Sequence, residues 1–294
     1  MEAQAREQDA LQAAFYAWLD SRRGPEGARV VPPPAGLVAV VRRMHNHQWS
    51  WGSYNILAST TNCANDCAYC YMKPMKRRFF GADLEDFTMA LDGRRVAKAW
   101  RHAEHPKLIM FPSSHDIFPQ YAAEAAAVVA KMTAAGHSVL IATKPRRAAV
   151  DRLLAEFAPW PAERRARVEF RMTITSADPA VLAAWEPRAS PLGERLDCLR
   201  AAREAGIQTS VSIEPYLSDP GAVAALVDAD ATGTVWVGEL TGGGTVAGVA
   251  PEEVARVRGQ YTPAATEALV DRLRGNPKIR WKTSVMRRLI RAVA

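Results

Sequence analysis

The chain is 294 residues long, 48% hydrophobic and 23% charged, with 18 Gly, 19 Pro and 4 Cys. That composition excludes a disordered chain, a collagen-like repeat and a disulfide-stapled miniprotein, and the length suffices for one large core or two small ones. Lys and Arg outnumber Asp and Glu by 38 to 31, a formal net charge of +7.

No apolar run approaches the roughly 18 residues of a spanning helix. The opening MEAQAREQDA lacks the basic start and apolar middle of a signal peptide. The chain therefore reads as a soluble cytoplasmic protein with no membrane partner.

Residues 3–20 carry Leu11, Ala14, Phe15, Trp18 and Leu19 at helical spacing and end at Gly24-Pro25, which predicts an amphipathic helix. Residues 30–53, with Pro32 to Pro34 and then HNHQWSWG, show no assignable period. After them short apolar or β-branched runs recur at 54–59, 108–114, 138–143, 167–176, 207–215 and 234–240, separated by Ala-rich segments of helical periodicity. Six strands alternating with helices predict an α/β fold with a parallel sheet, open or curled into a barrel. Function then belongs at the C-terminal strand ends. Beyond residue 245 come an amphipathic stretch, a short strand at IRWKT and a last helix striped by Val285, Leu289 and Val293. The chain thus divides into an N-terminal helical extension (1–51), a core (52–245) and a C-terminal extension (246–294) that closes the barrel.

The two-residue period of a strand puts Arg171, Thr173 and Thr175 on one face, and Ser210, Ser212 and Glu214 on another. Purely structural buried strands rarely carry such groups. A polar ligand, ordered water or neighbouring side chains have to satisfy them.

Residues 62–72 read NCANDCAYCYM, which sets Cys63, Cys67 and Cys70 at C-x3-C-x2-C spacing just after the first predicted strand. Three thiolates on one loop suit three irons of a four-iron cluster whose fourth iron stays open for a chelating ligand. The competing arrangement is a Cys3His zinc site with His45, His47 or His115, hence a non-catalytic zinc-stabilised binding module. Cys198 lies between Leu196 and Leu199 in a helical pattern and reads as a small buried residue. The His45-His47 pair with Trp49 and Trp51 reads as packing, Gly242 to Gly244 as a flexible loop, and Arg188 and Arg195 as charge partners of Glu186 and Glu194.

The cysteine spacing, with the strand rhythm behind it, resembles the radical S-adenosylmethionine (radical SAM) superfamily. That resemblance implies a partial (β/α)6 TIM-type barrel and two cofactors, a [4Fe-4S] cluster on Cys63, Cys67 and Cys70 and S-adenosylmethionine (SAM). It also implies reductive cleavage of SAM to methionine and a 5′-deoxyadenosyl radical that abstracts a substrate hydrogen. Within the superfamily the chain is similar to the group of spore photoproduct lyase: Tyr69 and Tyr71 flank the third cysteine, and Thr143-Lys144 ends strand three. The likeness assigns Lys144 to the SAM carboxylate and Ser113, Ser114, His115 and Asp116 to the SAM amino group. Thr173 and Ser212 count with the cofactor-binding residues, and Ser212 and Glu214 lie nearer the substrate. Tyr69, Tyr71 and Glu214 are the candidate catalytic groups. Spore photoproduct lyase has a further cysteine that returns a hydrogen atom, whereas this chain has none between Cys70 and Cys198. The likeness therefore extends to the radical chemistry and not to the lesion-repair step.

Charge is uneven along the chain. Residues 40–79 hold six basic groups and one acid, residues 278–294 hold six basic groups and no acid, and the remainder nets −4. Two basic segments on a mildly acidic body suit a nucleic acid or nucleotide substrate. A reducing partner such as a flavodoxin or ferredoxin completes the expected partners. The alternative within the same chemistry is a tailoring enzyme for a small molecule or peptide, in which the basic residues only solubilise.

Overall fold

Seven parallel strands form one sheet whose spatial order is its chain order: β1 (Gly52–Ser53), β2 (Leu108–Met110), β3 (Ser138–Thr143), β4 (Val168–Thr173), β5 (Gln208–Ile213), β6 (Val235–Val237) and β7 (Ile279–Trp281). They come from a computed structural model that describes residues 2–24, 27–28, 31–46, 52–228, 230, 233–240, 246 and 248–293. This is the expected α/β class, with helices Ala122–Ala134, Arg147–Phe157 and Leu192–Glu204 in the crossovers.

Alternation along each central strand sorts the residues. Val139 and Ile141, Phe170 and Met172, and Val211 and Ile213 join the buried core, while Leu140, Ala142, Arg171, Thr173 and Ser212 line a cavity on the other face. Ser53 of β1 and Lys282, the residue after β7, line that same cavity. Opposite edges of the sheet can share one cavity only if the sheet curls, so the seven strands make a partial barrel.

Two sequence expectations change. The run 54–59 is not a sheet strand: after Tyr54 donates to the Met110 carbonyl, the chain turns away and pairs with 90–92 through Ala58 N to Ala90 O and Asp92 N to Ile56 O, both 2.8 Å. Asn55 ties the departing backbone to the β2 loop, bonding the backbone N–H groups of Ser113 and Ser114 at 2.8 and 2.9 Å. The sheet also has a seventh strand, because Ile279 to Trp281 extends it beyond β6 instead of lying outside it. Residues 35–46, which had no assignable period, form a helix that buries Leu37 and Val41.

An exposed parallel edge invites pairing with another chain, and here the first helix, Glu2–Ser21, covers it with two glutamines one turn apart. Gln12 donates to the Ile279 carbonyl at 2.9 Å and accepts from Trp281 N at 3.1 Å, and Gln8 donates to the Trp281 carbonyl at 3.2 Å. Both glutamines are buried and stand in for a further strand. One apolar cluster runs from Leu11 and Phe15 through the strands to Leu289 and Ile290, so both terminal segments share the core of the barrel. No described helix is long and apolar enough to cross a membrane.

Replacing Gln12 by Met keeps the volume but strands a buried carbonyl and a buried N–H. We expect a loss of about 1–3 kcal/mol in urea unfolding, with unchanged far-UV circular dichroism. An unaltered midpoint would show that the edge needs no such cover.

Candidate active site at the C-terminal strand ends

The loop after β1 carries Cys63, Cys67 and Cys70, and polar anchors fix it from below. Asn62 N donates to the Asp86 carbonyl and its amide to the Asp83 carbonyl at 2.6 Å, while Ala68 N donates to the Trp185 carbonyl at 2.9 Å. Asp66 takes a left-handed φ of 50° between the first two cysteines, a conformation Asp tolerates better than most residues. All three thiols are unpaired and line one cavity of about 690 Å³. That volume lies in the roughly 300–1,000 Å³ range of cofactor and ligand pockets. Burial pushes the Cys63 and Cys67 thiols up to about 12, so thiolates here require a bound cation.

Asp116 holds the loop to two strand ends. Its Oδ1 accepts from Ile117 N at 2.8 Å and from the Thr143 hydroxyl, and its Oδ2 accepts from the Asn65 amide at 2.7 Å and Lys144 N at 2.8 Å. Burial raises its pKa against the pull of these donors. Both oxygens are doubly engaged within the protein, and Asp116 also lines the cavity. His115 is likewise committed: its Nδ1 lies 2.8 Å from the Asp116 carbonyl and its Nε2 accepts from Ile56 N at 3.1 Å. Burial pushes its pKa down to about 4, which keeps the ring neutral. Both ring nitrogens are thus engaged within the protein.

A second buried carboxylate, Glu186, lies behind the cysteines and was not among the expected site residues. It accepts from the Tyr69 hydroxyl and from Thr175 Oγ1 at 2.8 Å. Arg195 Nη2 lies 2.6 Å from its Oε2, a charge contact outside hydrogen-bond angles, and Lys144 Nζ lies 3.9 Å from Oε1. Burial opposes ionisation, yet the Lys144 and Arg195 charges outweigh it and hold Glu186 below the ordinary glutamate range. Burial likewise pulls Lys144 down, but Cys67 and Glu186 outweigh it and hold the amine above its ordinary value. Asp116 also acts on Lys144, so Lys144 and Arg195 are balanced by two buried carboxylates, with Lys144 lining the cavity beside the cysteines. Thr175, expected in the lumen with Thr173, lies past the end of β4 and serves Glu186 instead.

The wall across the cavity comes from β4, β5 and the residue after β7. Thr173 pairs with Ser212 across adjacent strands. Lys282 donates to Ser212 Oγ at 3.1 Å and to the Glu214 carboxylate. A side chain at Gly238 would put its Cβ 2.5 Å from Glu214 Oε1, so only glycine leaves that carboxylate its place beside Lys282. Deeper in the lumen Arg171 bonds Ser210 and Glu169 at 2.9 and 2.8 Å and lies over the Trp236 ring. Neighbouring side chains, rather than a ligand, satisfy that layer.

All the expected site residues, namely the three cysteines, Tyr69, Tyr71, Ser113, Ser114, His115, Asp116, Lys144, Thr173, Ser212 and Glu214, line this one cavity. Glu186, Asn55 and Lys282 are additions. A signal for Glu186 existed in its place near Arg188 and Arg195, while Lys282 reaches the cavity only because β7 joins the sheet. His47, Trp49, Trp51 and Gly242 to Gly244 lie outside the described residues, as does the side chain of His45. Cys198 is buried inside helix Leu192–Glu204, as expected.

The donor set fits an iron–sulfur cluster. Among the described residues no three His, Cys, Asp or Glu side chains converge on the position of a single ion, and in a cluster each thiolate takes its own iron. Fold and site together define a partial barrel whose cavity is lined by three unpaired thiols. Residues 57–217, more than half of the chain, match the Radical SAM superfamily, and the chain belongs to that superfamily. Membership implies an iron–sulfur cluster and SAM. The uncharacterized protein ORF301 of Acidianus two-tailed virus is 28% identical over 166 residues, so the match spans 52% of this chain and 52% of that relative. A cysteine-to-serine variant of spore photoproduct lyase superposes with a TM-score of 0.52 at 14% identity, over 80% of this chain and 76% of that one, which shows a shared fold. Streptococcus suis SuiB bound to S-adenosylmethionine gives a TM-score of 0.47 at 10% identity, over 84% of this chain and 54% of that one.

Asp116→Asn retains the shape but turns an amide N–H₂ toward groups that are themselves donors. Stability is expected to fall by roughly 3 kcal/mol, with less iron retained per chain after anaerobic reconstitution. Wild-type unfolding and wild-type iron content together would contradict the structural role given to Asp116.

Proposed function

We propose that Cys63, Cys67 and Cys70 hold a [4Fe-4S] cluster, that Lys144, Ser113, Ser114, Thr173 and Ser212 hold SAM, and that the substrate is a nucleic acid or nucleotide. The observation that carries this reading is the gathering of three unpaired thiols and the buried ammonium of Lys144 around one cavity. When bound, the two cofactors supply reductive cleavage of a sulfonium to methionine and a 5′-deoxyadenosyl radical that takes hydrogen from the substrate.

The chain's own residues orient and shield this chemistry. Lys144 is kept charged by Glu186 and offers a charge-assisted hydrogen bond to the methionine carboxylate. Tyr69 packs its ring 5.4 Å from the Lys144 ammonium and gives its hydroxyl to Glu186, so it acts as a positioning residue. Tyr71 is the better candidate for returning a hydrogen: it stands at the cavity mouth, its hydroxyl held only by a 3.4 Å contact to the Ser113 carbonyl. The Ser212–Glu214–Lys282 group faces the cavity from the opposite wall and suits recognition of a polar substrate edge. An external reductant of the flavodoxin or ferredoxin type, in a cytoplasmic setting, supplies the electron.

Anaerobically reconstituted protein should show cluster absorbance and, with dithionite, form 5′-deoxyadenosine, faster with one member of a DNA, RNA and nucleoside panel. Replacing all three cysteines by Ala should abolish both signals. Lys144→Met should keep its iron and weaken SAM binding about 10- to 100-fold. Full iron content in the triple variant would overturn the cluster assignment. Stimulation only by small metabolites or peptides would overturn the substrate class.

A further inference from the structure

Folding rearranges the charge that the sequence displays as two basic segments. In 278–294, Lys278 pairs with Asp228, Arg280 with Asp9, Lys282 with Glu214 and Arg288 with Glu239. That segment is largely neutralised from within. The helix Met72–Phe80, MKPMKRRFF, is different: it contains no acid, and among the described residues Arg77 and Arg78 have no ion-pair partner.

The same short helix concentrates exposed apolar surface. Five large hydrophobic side chains are exposed among the described residues, and four of them are Tyr71 (57%), Met75 (43%), Phe79 (61%) and Phe80 (54%). Tyr71, Met75 and Phe79 are spaced by four and so form one stripe. Arg78 lies over the Phe79 ring at 5.2 Å. On its inner side the helix turns Met72, Lys73 and Lys76 to the cavity that the cysteines line, and Tyr71 belongs to both surfaces. The stripe is about 12 Å long, close to three nucleotides at roughly 3.4 Å each.

We propose that the outer face of helix Met72–Phe80 is the docking platform for a single-stranded stretch of nucleic acid that leads one nucleotide into the cavity; this rests on the nucleic-acid reading above. Unpaired bases stack on Phe79 and Phe80, and the guanidinium groups of Arg77 and Arg78 meet the phosphates. Each nucleotide offers a flat apolar face and an anion together, which matches rings interleaved with cations on a convex helix. An acidic protein surface would satisfy the arginines but leave the rings against polar groups. A duplex hides its base faces, so the platform selects unpaired strands.

The test uses the full-length reconstituted protein and labelled DNA and RNA oligonucleotides, single-stranded and duplex, read by fluorescence anisotropy. Single strands should bind more tightly than duplex of equal length. The double variant Phe79→Ala, Phe80→Ala should weaken single-strand binding about 5- to 100-fold. Arg77→Gln with Arg78→Gln should lower the slope of log affinity against log salt by about 0.7 per arginine. Cluster absorbance and substrate-free SAM cleavage should be unchanged in these variants, which reports intact folding. Arg287→Gln with Arg291→Gln, a basic site elsewhere, should shift affinity by no more than about two-fold.

If the wild type binds single strands and the Phe79, Phe80 variant binds them equally well, the platform is wrong and the nucleic-acid reading stands. If the wild type binds no oligonucleotide, both fall. Preference for duplex overturns the platform. So does loss of ferredoxin binding in the variants with oligonucleotide binding retained, which would reassign the surface to the electron donor.

Discussion

The site depends first on one carboxylate whose hydrogen bonds are all made inside the protein. Asp116 receives Asn65 from the cysteine loop, Ile117 from its own loop, and Thr143 and Lys144 from the end of β3. A single buried acceptor thereby sets the cysteine loop and the Lys144 backbone at fixed distances from each other. A buried carboxylate is tolerable only when donors surround it, and here those donors are the segments whose relative placement the chemistry requires. Stability and site geometry are the same set of bonds.

Electrostatics then decide what the cavity accepts. Lys144 and Arg195 flank Glu186, Asp116 balances the second cation, and the group is buried next to thiols that burial keeps protonated. The cavity thus gathers the three thiols and the Lys144 ammonium. Tyr69 adds a further contact to this group, since its hydroxyl holds Glu186 and its ring lies beside Lys144.

Some of this was legible in the sequence, for local reasons. β3, β4 and β5 are β-branched runs preceded by Ala-rich amphipathic helices, and the three cysteines lie within eight positions, so short windows contain the whole signal. What depended on distant partners was not legible. The seventh strand is three residues long and becomes a strand because Gln8 and Gln12, some 270 positions earlier, complete its outer edge. The junction that Asp116 makes was not legible because its donors come from separate segments. Glu186 looked like the partner of a nearby arginine, which it is, but its further contacts with Tyr69 and Lys144 follow only from the curl of the sheet.

The same logic applies to charge. A count along the chain weighs 278–294 and 40–79 equally, since it sees no acid nearby in either. In three dimensions Asp9, Glu214, Asp228 and Glu239 reach the first of these, and Arg43 of the second pairs with Glu7. Lys282 is the clearest case, because a residue counted in a basic segment becomes part of the cavity wall once β7 closes the sheet. Among the described basic groups without an ion pair, Arg77 and Arg78 are the ones set among exposed rings, on a short helix that contains no acid. A net charge of +7 thus says less than where the unpaired arginines lie, two of them on the helix that borders the cavity lined by the cysteines.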